Sequence, residues 1–266
     1  MRAAAVWMIA AVCGLATFAA SMVTRAPKLV DSRGNPVRPL MRTMAASGML
    51  PRDIPALLEF ITQSPEHLRA RYWLALRYTW SGRTAEAREA WRAAADLVPR
   101  LIELEPQGRR APFAHFVLGE ARRELGEHDG GLGAYEASLR MYGAVLERRP
   151  QDATVIYYMA WCCHRMGDQI GAGKYWRLVE ELEAEAGERG DADSFYRLAA
   201  ARAMLGKTDA ALGAVDALLK RGFNDRLMLG AAEEFAALRE EPRFRAALTR
   251  MEEQEQSGPP PPAAAF

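Results

Sequence analysis

This sequence contains few cysteine and histidine residues, and its net charge is close to zero. Among its 266 residues are three cysteines and four histidines, and Lys plus Arg exceed Asp plus Glu by one. This balance gives no electrostatic basis for binding nucleic acid, and no block of five or more like charges appears. Cys162 and Cys163 are adjacent, so on a helix they point about 100° apart. We interpret both as packing residues, with a redox site as the alternative.

Motifs for catalysis, nucleotide binding and metal binding are absent as well. The nearest approach to a phosphate-binding loop is DQIGAGKY at 168–175. Its first glycine place is taken by Asp168 and its Ser or Thr place by Tyr175. The histidines are scattered, with no HExxH or Cys-His spacing. The sequence therefore predicts no catalytic residue, no cofactor and no metal ion, and the protein is not expected to be an enzyme.

Residues 1–24 contain a long apolar run. No charged residue occurs from Ala3 to Thr24, and this run is long enough to cross a bilayer as a helix. Ala19-Ala20-Ser21 offers a cleavage site, so we predict a signal peptide or signal anchor, followed by a linker over 25–36. The protein is then exported, periplasmic or membrane-anchored, with membrane contact only through this segment if it is not cleaved. Basic residues from Arg25 onward favour the alternative, an anchor facing the cytoplasm.

A helical hairpin occurs four times in the chain. In WLALRYTWSGRTAEAREAWRAAADLVP, residues 73–99, apolar residues recur at helical spacing on both sides of a Ser-Gly turn. Thr84 is the predicted N-cap of the second helix, and Pro99 is predicted to close it. The same marks recur at steps of 44, 41 and 39 residues. They are an apolar residue in the first helix, a glycine eight residues later and a small residue five further on: Leu74, Leu118, Met159 and Leu198; Gly82, Gly126, Gly167 and Gly206; Ala87, Gly131, Ala172 and Ala211.

The pattern resembles the tetratricopeptide repeat (TPR). In the first clear unit the signature places hold Leu74-Ala75, Tyr78, Ala87, Trp91, Ala94 and Pro99. At the Tyr place the later units depart from the pattern, with Arg122, Cys163 and Arg202. The resemblance implies an all-α fold, a right-handed α-solenoid of tetratricopeptide-like helical hairpins, with four units over 67–221. Gly48 and Pro65 precede Gly82 and Pro99 by 34 residues, the standard period, so 37–66 is predicted to be a degenerate repeat.

The end of the chain resembles the module that closes many bacterial arrays of this family. Its marks are Gly-Phe at 222–223, acidic residues before Phe235, and Glu241-Pro242-Arg243-Phe244. A stack of repeats needs such a cap to cover its last apolar face, so we predict a C-terminal helical cap over 222–252. Residues 253–266, EQEQSGPPPPAAAF, lack apolar periodicity and are predicted to be a disordered Pro-rich tail.

An aromatic residue lies two positions before the signature Leu or Met in all four units. The resemblance places this position on the concave face, formed by the first helices. The predicted partner-binding residues are these four aromatics and their neighbours: Tyr72, Phe116, Tyr157, Tyr196, Trp80, Trp161, Arg69, Arg123 and Arg165, with Glu120 and His164 beside them. The alternative is that the rings pack against the adjacent first helix. A clamp of Lys and Asn for a chaperone's terminal carboxylate is disfavoured, because no such set is present.

These features favour a non-catalytic scaffold or adaptor for protein–protein interaction. Its partner would be a protein or peptide segment, bound in an aromatic-lined concave groove, because aromatics with a few Arg suit an extended peptide or an apolar helix. Two alternatives are an assembly factor for envelope machinery or cytochrome maturation, supported only by the leader, and a structural spacer without a peptide groove.

Overall fold

Helices make up the regular structure of the residues described by this computed structural model, 50–187 and 190–257. No strand occurs among them. The helices are α1 (Ile54–Gln63), α2 (Leu68–Trp80), α3 (Thr84–Leu104), α4 (Ala111–Leu125), α5 (His128–Arg148), α6 (Ala153–Arg165), α7 (Gln169–Ala186), α8 (Ala192–Met204), α9 (Thr208–Lys220), α10 (Arg226–Ala231), a 3₁₀ helix (Glu233–Leu238) and α11 (Pro242–Ser257). The predictions for 1–24, 25–36, 37–49 and 258–266 lie outside the described residues.

The helices pair into hairpins that stack in chain order. Helix α2 packs on α3, α4 on α5, α6 on α7 and α8 on α9. Each second helix also packs on the first helix of the next hairpin, and α1 packs on α2 at the start of the row. The contacts are therefore between neighbours, as in a helical-repeat solenoid. The predicted all-α solenoid of helical hairpins is confirmed.

Glycine forms the turn of each of the four hairpins. Gly82, Gly126, Gly167 and Gly206 have φ between 71° and 86°, a conformation that other residues adopt only with strain. A glycine also permits close helix approach at Gly119 in α4, where an added Cβ would lie 2.6 Å from the ring of Tyr135 in α5. The repeated glycines of the sequence thus have a direct conformational cause.

Two predicted boundaries of α3 are wrong. Thr84 is the first helical residue, while Arg83 occupies the N-cap without a side-chain cap bond. Pro99 lies inside the helix, which continues to Leu104. Proline removes one helical hydrogen bond, but here packing outweighs that loss. Val98 before it is fully buried, and Leu101 after it packs against the same apolar cluster.

The C-terminal module, residues 222–257, covers the last hairpin with an apolar core. Leu229, Phe235, Leu238 and Phe244 are all at most 1% exposed and join a cluster with residues of α8 and α9 such as Leu218. The 3₁₀ helix packs on α8, while α11 packs on α9 and α10. Helix α11 extends to Ser257, so the prediction of disorder from residue 253 is wrong over 253–257.

The C-terminal module also reaches the first hairpin. Helix α10 packs on α2, and Trp80 at the end of α2 contacts the apolar cluster of the module. We call the side formed by the first helices α2, α4, α6 and α8 the inner face, because the module crosses it. No helix among the described residues has both the length and the apolar character needed to cross a membrane.

Candidate binding surface on the inner face

Two of the predicted groove tyrosines bind a glutamate of the chain itself. The hydroxyls of Tyr157 in α6 and Tyr196 in α8 donate to the same Oε1 of Glu234, at 2.9 and 2.7 Å. Glu234 is buried, and burial raises the pKa of its carboxyl although the two hydroxyl bonds oppose that rise. Both tyrosines are thus held by the C-terminal module in this closed arrangement.

Beside them, a charged network joins α4, α6 and the 3₁₀ helix. Arg165 donates to Glu120 at 2.8 Å and to Glu233 at 2.7 Å, and its guanidinium lies 4.6 Å from the Trp161 ring centre. Burial would raise the pKa of Glu120, but Arg165 and Arg123 outweigh it and the pKa is lowered. The pKa of Glu233 falls to about 2, because His164 bonds to it and Arg165 attracts it despite partial desolvation.

A third contact fixes the C-terminal module to the first hairpin. Arg77 of α2 pairs with Asp225, and their side chains are 5% and 4% exposed. Next to it Arg52 donates to the side-chain oxygen of Asn224 at 3.0 Å and lies over the ring of Phe223. The module therefore occupies the half of the inner face at the carboxyl ends of α2 and α6.

The other half of the inner face is uncovered. We define the open strip as Arg69, Tyr72, Phe113 and Tyr158, of which Arg69 is exposed and the three rings are partly exposed. The Phe113 ring lies 5.6 Å from that of Tyr72 and 5.4 Å from that of Tyr158, centre to centre. The Arg69 guanidinium lies 5.6 Å from the centre of the Phe113 ring. The strip is a continuous aromatic surface with a cation over its central ring.

Donors on the open strip lack partners within the described part of the chain. Neither the Tyr72 nor the Tyr158 hydroxyl forms a hydrogen bond there, and Arg69 forms no ion pair with a described residue. Burial raises the pKa of Tyr158, partly offset by the positive charges of Arg69 and Arg197. Arg69 and Tyr158 can therefore donate to a ligand without breaking a bond to a described residue. Burial and the negative charges of Glu120 and Glu234 raise the pKa of Tyr72, so its hydroxyl lies towards the charged network.

The nine predicted partner-binding residues thus have three kinds of surroundings. Tyr72 and Arg69 belong to the open strip. Tyr157, Tyr196, Trp80 and Arg165 contact the C-terminal module. The remaining three have partners within the array: Phe116 and Trp161 in an apolar cluster, and Arg123 paired with Glu120 and Glu124. Whether any of them binds another protein stays a prediction.

Sequence reasoning missed two residues of the open strip. Phe113 lies five positions before Leu118, the register that Arg69 holds before Leu74, so the repeat pattern carried a signal for it. Tyr158 directly follows a predicted groove residue, and its position gave no signal. The contacts of Glu233 and Glu234 with the inner face were also missed. Two acidic residues are equally expected on an exposed surface of the C-terminal module, so the sequence carried no sign of these contacts.

The two adjacent cysteines are buried in the array. Cys162 and Cys163 are free thiols, 0% and 2% exposed, within the cluster of α6 and its neighbours. Burial raises the pKa of Cys162 to about 12 and that of Cys163 to about 11. Such thiols are poor nucleophiles at neutral pH, which agrees with a packing role.

The identity of the fold follows from the hairpins themselves. Four consecutive pairs have glycine at the turn, a small residue early in the second helix and neighbour-to-neighbour stacking. The chain is a TPR-like α-solenoid.

Comparison with known proteins adds distant likenesses to this TPR-like solenoid. No protein-family model matches the sequence, and no curated protein matches it either. A solved TPR protein from Thermus thermophilus is 17% identical, with a TM-score of 0.39 over 81% of this chain and 96% of the other. A putative kinesin light chain of Podosopora anserina with TPR-like repeats is 18% identical, at a TM-score of 0.37 over 73% and 95%.

A third solved structure is YrrB, a TPR protein with an unusual peptide-binding site. It is 14% identical, with a TM-score of 0.32 over 77% of this chain and 96% of that one. All three likenesses are distant, with TM-scores below 0.5.

Proposed function

We propose that this TPR-like solenoid is a non-catalytic scaffold that binds a segment of a partner protein on the open strip. The observation that carries the proposal is the aromatic row Tyr72, Phe113 and Tyr158, partly exposed, with two hydroxyls that have no partner among the described residues. Tyrosine offers rigid apolar area and a hydrogen-bond donor together, which is why a few such residues dominate many interfaces.

The C-terminal module limits where the partner can bind. It already fills the inner face at Tyr157 and Tyr196, and its Phe235 is fully buried. Removing a buried phenylalanine side chain typically costs about 3–5 kcal/mol, so displacing the module to free that half is unfavourable. We therefore expect the partner to bind the uncovered half of the inner face, near the amino ends of α2, α4 and α6.

A structural spacer without a partner groove is the second candidate. The observation that favours it is the buried contact between Arg77 and Asp225, which ties the first hairpin to the C-terminal module. A closed array of this kind holds its ends at a fixed separation. Export and a role in envelope or cytochrome assembly remain predictions that depend on residues 1–24.

Site-specific photo-cross-linking separates the two candidates. A photoreactive phenylalanine analogue is placed at exposed Arg110, three residues before Phe113, in one full-length protein and at exposed Arg92, on the second helix α3, in another. A scaffold gives a discrete adduct from position 110 in the native cell, and Tyr158→Ala removes it, while position 92 gives none. If position 110 yields no adduct, or the same adducts as position 92, the open strip is not the binding surface.

A further inference from the structure

We infer that the open strip selects a segment with a Glu or Asp side chain close to an apolar or aromatic residue. This inference rests on the proposed function and adds the chemistry of the partner. It comes from a comparison of the two halves of the inner face, of which one already holds such a segment and the other does not.

The occupied half shows how this face binds an acidic–aromatic segment. Arg165, stacked over the Trp161 ring, directs its guanidinium edge to the carboxylate of Glu233. The next residue, Glu234, accepts from two tyrosine hydroxyls. Phe235 then lies edge-on to Tyr196, with ring centres 5.4 Å apart. The bound sequence is Glu-Glu-Phe, and each of its three side chains has a defined partner.

The open half repeats the same chemistry with the carboxylate missing. Arg69 lies over the Phe113 ring as Arg165 lies over Trp161. A guanidinium whose face lies over a ring keeps its N–H edge available, and that edge matches the geometry of a carboxylate. The Tyr158 hydroxyl, on which the charge of Arg69 acts, corresponds to the tyrosine hydroxyls that bind Glu234 in the occupied half, but it has no acceptor among the described residues.

Neighbouring charges set where the carboxylate goes. Arg69 lies over Phe113, the middle ring of the strip, and its positive charge acts on the Tyr158 hydroxyl more strongly than the negative charge of exposed Asp193. On the other side of Phe113, the negative charges of Glu120 and Glu234 act on Tyr72. A carboxylate is therefore favoured at Arg69 and Tyr158 and opposed on either side of them. This fits an acidic residue beside an apolar one, and it disfavours a long acidic run. It also differs from a Lys and Asn clamp, because the ligand is a side chain.

Two blocked peptides and the full-length protein test the inference. One peptide is acetyl-GAAEEFAAL-amide, a copy of residues 230–238, and the other has glutamine in place of both glutamates. Fluorescence anisotropy gives their affinities. Because hydrogen bonds to a charged group are stronger than neutral ones, we expect the glutamine peptide to bind about tenfold more weakly. Arg69→Gln should remove this preference, whereas the matched variant Arg92→Gln should keep it.

Several results would overturn the inference. They are equal affinity for the two peptides, no binding of either peptide, and a preference that survives Arg69→Gln. A preference that disappears with Arg165→Gln but not with Arg69→Gln would place the peptide in the occupied half and would also overturn it. If the peptides fail this test while position 110 still gives a discrete adduct, only the acidic–aromatic chemistry is wrong. Without the adduct, the scaffold proposal itself is wrong.

Discussion

The guanidinium of Arg77 donates a 2.7 Å hydrogen bond to the carboxylate of Asp225, which lies 148 residues later in the chain. Both groups are almost completely buried, so water contributes little to their solvation. This contact joins α2 of the first hairpin to the start of the C-terminal module. Together with the bonds to Glu233 and Glu234, it closes one half of the inner face and leaves the open strip as the accessible half.

Breaking the Arg77–Asp225 pair should destabilise the protein strongly. Asp225→Ala leaves a buried, uncompensated guanidinium, for which we expect a loss of about 3–5 kcal/mol in the free energy of unfolding. Urea unfolding followed by helical circular dichroism measures it. Arg100→Ala is the matched control, because its pair with Glu66 is 68% and 53% exposed and should contribute about 1 kcal/mol at most.

The double variant Arg77→Met with Asp225→Leu tests the cause of that loss. Replacing a buried ion pair by apolar side chains of similar size is often neutral or stabilising, and Arg77 Nε has no partner among the described residues. We expect the double variant to be much more stable than Asp225→Ala. Both variants also lose the cap bond from the Met228 N–H to Asp225. If the double variant is equally unstable, the loss comes from packing or from this cap, and not from an unpaired charge.

The hydroxyls of Tyr157 and Tyr196 should matter for stability. Tyr196→Phe keeps the ring but removes a donor to buried Glu234, at an expected cost of about 1–3 kcal/mol. Tyr157→Ala also removes a ring that contacts Trp176, and should cost about 3–5 kcal/mol. Thermal or urea unfolding of the purified variants measures both.

Tyr158→Phe is the control for this pair. Its hydroxyl has no hydrogen bond within the described residues, so the substitution should change stability by less than about 0.5 kcal/mol. The effects on partner affinity should be the reverse. Tyr158→Phe should weaken partner binding more than Tyr196→Phe does, because Tyr158 lies on the open strip. Equal stability losses for Tyr196→Phe and Tyr158→Phe would contradict the assignment of Glu234 as a buried acceptor.

Glu233 should stabilise the fold only above acid pH. Its pKa falls from the ordinary 4.5 to about 2 in the folded protein, chiefly through the bond to His164 and the charge of Arg165. A group with a lowered folded pKa contributes stability above its unfolded pKa and loses that contribution as pH falls towards the folded pKa. The difference in melting midpoint between wild type and Glu233→Gln should therefore grow between pH 2 and pH 5. A difference independent of pH in this range would show that the carboxylate is not held by these partners.

Glu234 should give the opposite trend. Burial raises its pKa in the folded protein, so the folded state favours the protonated carboxyl. The stability that this provides is present below the unfolded pKa and is lost as pH rises through the folded pKa. Glutamine keeps an acceptor for the two tyrosine hydroxyls but carries no charge. Glu234→Gln should therefore gain stability relative to wild type as pH rises from 4 to 8, measured by melting midpoints in matched buffers. Loss of stability relative to wild type over that range would reverse the assigned direction.

The hairpins could be predicted from the sequence because their determinants are local and repeated. An apolar residue, a turn glycine and a small residue at fixed spacing occur four times, so each unit supports the reading of the others. The turn glycines then adopt the positive φ that makes glycine necessary there. Pro99 was misjudged because the continuation of α3 depends on packing against Leu68 of another helix, which local sequence does not record.

The closure of the inner face could not be predicted in the same way. Arg77 looks like an ordinary charged residue on a solvated helix face, and a single ion pair across 148 residues leaves no periodic mark. Tyr72 and Tyr157 share one register of the repeat, yet only Tyr157 binds Glu234. The repeat pattern predicts that Tyr72 and Tyr157 occupy equivalent positions in their units. Their surroundings differ because the C-terminal module occurs only once and contacts Tyr157.

The distance between Arg52 and Asn224 tests the closure most directly. Spin labels are attached to cysteines at these two exposed positions in full-length protein carrying Cys13→Ser, since the buried Cys162 and Cys163 should not react. Losing the exposed Arg52–Asn224 bond should cost little. Pulsed electron paramagnetic resonance should give one narrow distribution at the short end of the measurable range, which Asp225→Ala lengthens and broadens. A long or broad distribution that Asp225→Ala leaves unchanged would contradict closure of the inner face by the C-terminal module.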